Sequence, residues 1–398
     1  MVEVLLVVGI AVAVFVGFNI GGSSTGVAFG PSVGSRVVSK IGAAALMAGF
    51  ALLGGWTVGR NVIETMGGQI VPSDQFTLAA SVGVLFFVGL ALLVSNLFGV
   101  PASTSMTAVG AIAGLGVATD SINWEVMGQI VSWWLIAPIA AFWVCAIIGR
   151  YFYPYLSVAF AIDRSDGPLL AVDRSGVVPL PTPAPSVTAR ELVGSGLVVG
   201  IGCYMAFAAG ASNVANAVAP LVGNGSLSMN AGILLAGGAI GLGAFTIARR
   251  TLDTVGNDLT DLPLLAALIV EVVSASLITV LSELGIPASL AVSATMSIVG
   301  LGWGRATRTT TISNAATEAI RSKADASPRQ GEAGTLVGAL GADERGDEVT
   351  PIGEEEPEEL AASDLFDPAT TGRVIMLWIL TPTISGVLSY LLFEFVAV

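Results

Sequence analysis

Runs of apolar residues follow one another along the chain, at 4–20, 41–59, 75–98, 126–149, 192–211, 231–248, 262–283 and 374–393. Each is free or nearly free of charge, and each approaches the roughly 20 residues a helix needs to cross a bilayer. Few polar faces are left among them to meet water, so the pattern predicts eight membrane-spanning helices rather than buried helices of a soluble protein. The first run begins beside Glu3, has no basic segment ahead of it, and flows into a Gly-rich stretch without an obvious cleavage site. It reads as a retained helix, not a signal peptide.

Two short motifs each occur twice. GGSSTGVAFGPSVG at 21–34 aligns with GASNVANAVAPLVG at 210–223, an offset of 189 that pairs Gly21 with Gly210, Ser23 with Ser212, Ala28 with Ala217, Pro31 with Pro220 and Gly34 with Gly223. The offset persists through Gly54 and Gly243, Arg60 and Arg249, Glu64 and Asp253. Arg60 and Glu64 lie four apart on one helical face and read as a structural tie at the membrane surface. The second motif is GVPASTSMTAVGAIAGLG at 99–116, repeated as GIPASLAVSATMSIVGLG at 285–302 with an offset of 186. Proline followed by Ser or Thr marks a helix start, and a helix start inside the membrane aims unpaired N–H groups at whatever sits there, which suits an anion.

The last span closes each half with one signature, WWLIAPIAA against LWILTPTIS, at an offset of 244. The chain is therefore an internal duplication: a first repeat at 1–158, a Pro-rich linker at 159–190, the main part of a second repeat at 191–304, an insertion at 305–372 and a closing helix at 373–398. Small residues and hydroxyls at matching places in two halves predict a binding site at the repeat interface, made by broken or re-entrant helices. Four crossings per half make the repeats parallel and five make them inverted; inversion puts linker and insertion on one side. Both carry basic residues near their ends, Arg150, Arg164, Arg174 and Arg190 for one and Arg305, Arg308, Arg321 and Lys323 for the other. That side is then cytoplasmic and the termini outside.

Composition agrees, with 54% hydrophobic and 11% charged residues and a mean hydropathy of +0.83. The net charge of −13 is mostly local, because 343–367 alone holds a net −10. That acidic insertion lacks apolar periodicity and reads as a solvated, largely disordered spacer. Histidine is absent and the two cysteines, Cys145 and Cys203, fall inside spans, which removes histidine chemistry and a disulfide framework. No nucleophile and base pair, metal cluster or nucleotide-binding loop is visible, so neither enzymatic activity nor a cofactor is expected. One acid, Glu271, falls in the middle of a span and has no twin in the first half, where the two offsets give Val82 and Leu85. An intramembrane carboxyl points to a proton carrier or cation ligand, or else to a buried, hydrogen-bonded structural acid.

These motifs, in this order, resemble those of the inorganic phosphate transporter (PiT) family, which includes a branch of sulfate permeases. The resemblance spans the chain apart from the acidic insertion. It rests on GASNVANAVAPLVG and FGPSVGS against the family's GANDVANA signature and its tail, on GVPASTS against PVSTTH, and on RRTLDTVGNDLTDL. Where the family has Asn-Asp, this chain has Ser23 and Ser24 in one half and Ser212 and Asn213 in the other; the later Asn is kept as Asn216 and replaced by Val27. Both signature carboxylates are absent, which leaves dipoles in place of charge. Ser103, Thr104 and Ser105 keep the hydroxyl run, with Met106 where the family often has His; the second half keeps Ser289, followed by Leu290 and Ala291.

The resemblance implies a polytopic all-α secondary transporter of two inverted repeats in the cell membrane, as a homodimer. It implies substrate contacts at Ser23, Ser24, Thr25, Ser103, Thr104, Ser105, Ser212, Asn213, Asn216 and Ser289, and coupling to Na+ or H+ through Asn213 and Asn216; Glu271 joins the coupling candidates by its mid-span position, not by the resemblance. Inorganic phosphate is the leading substrate, sulfate or another oxyanion the alternative, and a transport-inactive sensor or scaffold the reading from another class. No nucleic-acid partner is expected.

Overall fold

The computed structural model describes residues 2–97, 103–160, 170–173, 180–183, 188–246, 264–309 and 368–396. Most of the linker and insertion, and the second Arg–acid pair at Arg249 and Asp253, lie outside them. The helices are α1 (Val2–Gly34), α2 (Lys40–Thr57), α3 (Gly59–Glu64), α4 (Leu78–Leu97), α5 (Thr104–Ala118) and α6 (Trp124–Ile147). A π turn at Ile148–Phe152 joins α6 to α7 (Tyr153–Ala159). The rest of the chain supplies α8 (Ala189–Gly223), α9 (Met229–Thr246), α10 (Leu264–Glu283), α11 (Leu290–Ala306) and α12 (Pro368–Phe395). Eight helical stretches among the described residues are long and apolar enough to cross a membrane. They coincide with the eight apolar runs of the sequence. On α6, Leu135, Ile136, Ile139 and Trp143 face outward, as lipid-facing side chains do.

The fold is all-α as expected, and the linker adds only a short antiparallel ribbon that pairs β1 (Leu170–Asp173) with β2 (Leu180–Pro183). Both strands of a two-stranded ribbon are edges, which is where proline is tolerated. One expectation needs correction: the opening motifs do not break their helices. They run unbroken through α1 and α8, helices of 33 and 35 residues with Pro31 and Pro220 inside. The small residues serve close approach rather than unwinding. The proline-led motifs do begin helices: Ser103 caps α5 by accepting from Met106 N, and Ser289 caps α11 by accepting from Val292 N.

Helices of the two halves interleave reciprocally. α1 packs on α9 as α8 packs on α2, and α5 on α12 as α11 on α6. Backbone contact explains the repeated glycines. A Cβ on Gly21 would lie 1.9 Å from Ile240 O, and one on Gly210 would lie 1.9 Å from Ala51 O. At the offset of 189, Gly210 and Ile240 are the equivalents of Gly21 and Ala51, so each contact is the image of the other under exchange of the halves.

Helix ends are tied at two opposite levels. The chain leaving α5 returns to where α4 began, since Asn123 N donates to Ile70 O at 2.9 Å. α6 then carries the chain to the other end. There Arg308 Nη1 donates to Arg150 O at 2.5 Å, Arg150 Nη1 donates to Thr307 O, and Arg190 Nη2 donates to Ala159 O at 2.8 Å. α10 also starts at that end, where Leu264 and Leu265 share a groove with Ile148, Phe152 and Phe160. Thus α4 and α10 begin at opposite levels, each pairs with the helix that follows it, and Ser103 and Ser289 cap those following helices, α5 and α11.

Candidate functional site

The starts of α5 and α11 deliver Thr104, Ser105 and Ser289 to the long helices that carry the opening motifs. On one side α5 meets α8. Thr104 Oγ1 donates to Asn213 Oδ1 at 2.5 Å, and the Ser105 and Ser212 hydroxyls lie 3.1 Å apart. Ser212 Oγ also donates to Ala288 O at 2.7 Å, tying α8 to the turn before α11. Asn216 is the hub. Its Nδ2 lies within hydrogen-bonding distance of Asn213 Oδ1 (3.0 Å), Ser105 Oγ (3.2 Å) and Thr104 Oγ1 (3.3 Å), while its Oδ1 is buried without a partner. A buried amide oxygen left unpaired is costly and marks a place for a ligand or a water.

Beside this network is a cavity of about 30 Å³, lined by Ser23, Ser24, Val27, Thr104, Asn213, Ser289, Leu290 and Ala291. It has room for one or two waters. Exchange of the halves maps Asn216 onto Val27, Thr104 onto Leu290 and Ser105 onto Ala291. The cavity therefore has a more polar wall, where the first-half hairpin meets α8, and a less polar one, where the second-half hairpin faces α1 and Val27, Leu290 and Ala291 replace the polar groups while Ser23, Ser24 and Ser289 remain. Val27, Leu290 and Ala291 belong to the lining although polarity would not select them; their repeat positions were the available signal. No charged side chain among the described residues lines the cavity. The N-termini of α5 and α11 both reach it, bringing partial positive charge and first-turn N–H groups without intrahelical partners.

The predicted contacts divide accordingly. Ser23, Ser24, Thr104, Asn213 and Ser289 line the cavity, and Ser105, Ser212 and Asn216 form the network behind it. Thr25 is not brought to the cavity: its Oγ1 donates to Gly21 O at 2.7 Å within α1. Ser103 is likewise spent as the cap of α5. Glu271 is absent from the lining and lies on α10 among α8, α11 and α6. Arg60 does not close on Glu64; it stacks over Trp56 and its Nη2 donates to Asn230 Oδ1 at 2.7 Å, which ties the halves together instead.

Comparison with known proteins places this arrangement. The chain is 30% identical over 294 residues to the sulfate permease CysP of Bacillus subtilis (strain 168), covering 74% of this chain and 76% of that one. It is 28% identical over 373 residues to a Helicobacter pylori (strain J99) protein named as a phosphate permease, covering 75% and 68%. Its fold is similar to a solved structure described as the sodium-dependent phosphate transporter, with a TM-score of 0.66, 16% identity and 98% of both chains covered. Residues 20–389 match the profile of the phosphate transporter family. With its multi-pass helical fold and twice-repeated motifs, the chain belongs to that family, one of transporters and not of enzymes.

Proposed function

We propose that this chain is a secondary permease for an inorganic tetrahedral oxyanion, phosphate or sulfate, which passes through the cavity between α1, α5, α8 and α11. The observation that carries the reading is a cavity whose described lining is uncharged, offers hydroxyls and an amide, and is reached by two helix N-termini. Such donors suit an oxyanion's acceptor oxygens, and helix N-termini favour negative charge. The cavity is too small for a hydrated anion, so the arrangement is a closed state.

Inverted repeats with re-entrant hairpins account for the geometry. The reciprocal α1–α9 and α8–α2 packing supports a two-fold relation between halves, and the starts of α4 and α10 at opposite levels support an axis in the membrane plane. A hairpin that enters and returns leaves the parity of crossings odd in each half, which is what inversion requires. Arg150, Arg190, Arg305 and Arg308 gather at one level. By the positive-inside rule that level is cytoplasmic.

One observation favours sulfate of the two anions. Phosphate near neutral pH carries a P–OH that must donate, whereas sulfate only accepts, and among the described residues no carboxylate lines the cavity to take such a proton. The relative named as a sulfate permease supports the same choice. Phosphate is the second reading, favoured by Asn216 Oδ1, a buried free acceptor beside the cavity. Hydroxyl and amide oxygens alone make a weak site for Na+, so cation coupling need not reside here. The test is uptake of radiolabelled sulfate and phosphate by the purified chain in liposomes, each competed by the other unlabelled anion. Uptake of either anion is expected, with sulfate the stronger competitor; if neither moves in any mode, the permease reading is wrong.

A further inference from the structure

The oxyanion cavity leaves one buried ionisable group unused. Glu271 sits near the middle of α10, 3% exposed, and neither carboxylate oxygen has a hydrogen-bond partner. It is the one acid placed at mid-span among the described residues. α10 packs against α8, α11, α6, α3 and α1 and shares a groove with the π turn at Ile148–Phe152, whose Arg150 donates to Thr307 O; among the described residues none brings Glu271 a cation. At this level α8 offers Cys203 and Tyr204, whose hydroxyl donates to Ser276 Oγ at 3.3 Å. α6 offers Cys145, which faces Ser297, and Ser297 in turn lies 3.2 Å from Ser274, one turn along α10 from Glu271. The arginine of α11, Arg305, is at its far end over Tyr153. α3, which carries Arg60 and Glu64, reaches α10 at its C-terminal end, where Asn61 Nδ2 donates to Glu283 O. Arg60 itself is held by Asn230, and α1 has no ionisable side chain beyond Glu3.

We propose that Glu271 is the proton-coupling residue of this permease. The inference rests on the oxyanion reading above. A carboxylate with no donor and no cation is a group a helix bundle does not bury charged. The closed arrangement therefore holds Glu271 as the acid, with its proton. Tyr204 meets Ser276 and Ser212 meets Ala288, so α8 and α10 run side by side in one direction. Glu271, five residues before Ser276, then lies roughly 20 Å along α8 from Asn213, at about 1.5 Å rise per residue. It cannot touch the anion, but α8 and α11, both packed against α10, are the helices that deliver Asn213, Asn216 and Ser289 to the cavity. A water-exposed carboxylate takes one proton from one side, forming an O–H bond. Closure buries the neutral acid, and opening to the other side breaks that bond and releases the proton. Because the first half has Val82 and Leu85 at the equivalent positions, the device exists once per chain.

The test compares wild type with Glu271→Gln, an uncharged isostere of the acid, in liposomes with labelled sulfate and phosphate. One mode is accumulation driven by an inward proton gradient, with an interior pH dye to follow the proton. The other is gradient-free exchange against internal unlabelled anion. The variant is expected to lose at least ~10-fold of the proton-driven accumulation and the dye signal while keeping exchange within about twofold of wild type, because the neutral form already permits closure. The assignment is overturned if the variant still accumulates anion under the proton gradient, if exchange and accumulation fall together as for a structural role, or if wild-type accumulation ignores the gradient. Wild-type protein that neither accumulates nor exchanges either anion sinks the permease reading itself, and Glu271's role with it.

Discussion

Asn216 holds the polar wall of the cavity together, because one amide group reaches Thr104, Ser105 and Asn213 at once. Replacing it with Leu removes the shared donor and leaves buried hydroxyls competing for partners, a cost of about 1–3 kcal/mol. Asn216→Leu is therefore expected to lower initial uptake by roughly 10-fold or more. Thr25→Val is expected to change uptake by less than about twofold, since that hydroxyl only folds back onto its own helix. Initial rates at one subsaturating anion concentration check both. The contrast shows how far the sequence reached. Position in a repeated motif identified Asn213, Asn216 and Thr104, but Thr25 and Ser103 belong to the same motifs and have local jobs. Which way a hydroxyl turns depends on helix phase and on the neighbour across the interface, neither of which the motif contains.

Glycine sets what the helices can do as elements. The contact of Gly210 with Ala51 O lets α8 and α2 touch backbone to backbone. Gly210→Ala must push those helices apart, at about 1–3 kcal/mol or more, and should lower the melting temperature in detergent. Gly200→Ala on the same helix meets nothing within 4 Å and should be neutral or stabilise by up to about 1 kcal/mol. Thermal melts of the two purified variants separate the effects. The small residues of 21–34 and 210–223 are compatible with either a broken or a continuous helix, and local propensity does not choose between them. Tertiary contact chooses: with Ile240 and Ala51 seated against them, α1 and α8 keep their hydrogen-bond ladders through the site. Helix starts were more legible, since Ser103 and Ser289 cap the helices that their proline-led motifs announce.

In the whole molecule the interleaved halves make one bundle, and its orientation rests on where the basic residues gather. Asp120, between α5 and α6, and Ser157, on α7, are both exposed and lie at opposite levels. In intact cells a membrane-impermeant maleimide should label Asp120→Cys and spare Ser157→Cys until the membrane is permeabilised; the reverse pattern would invert the topology. The native Cys145 and Cys203 are buried and should contribute little background.

The sequence by itself determined that this chain enters a membrane, where its apolar spans lie and which motifs it repeats, because hydropathy and repetition are carried by the residues in order. Only the tertiary structure decided that the two hairpins cross to serve the opposite half's helix, that one wall of the cavity is more polar than its image, that Arg60 ties to Asn230 rather than to Glu64, and that Glu271 is buried without a partner. Each depends on which surfaces meet across more than a hundred residues of chain, and a contact between distant segments is set by packing, not by the local order of residues.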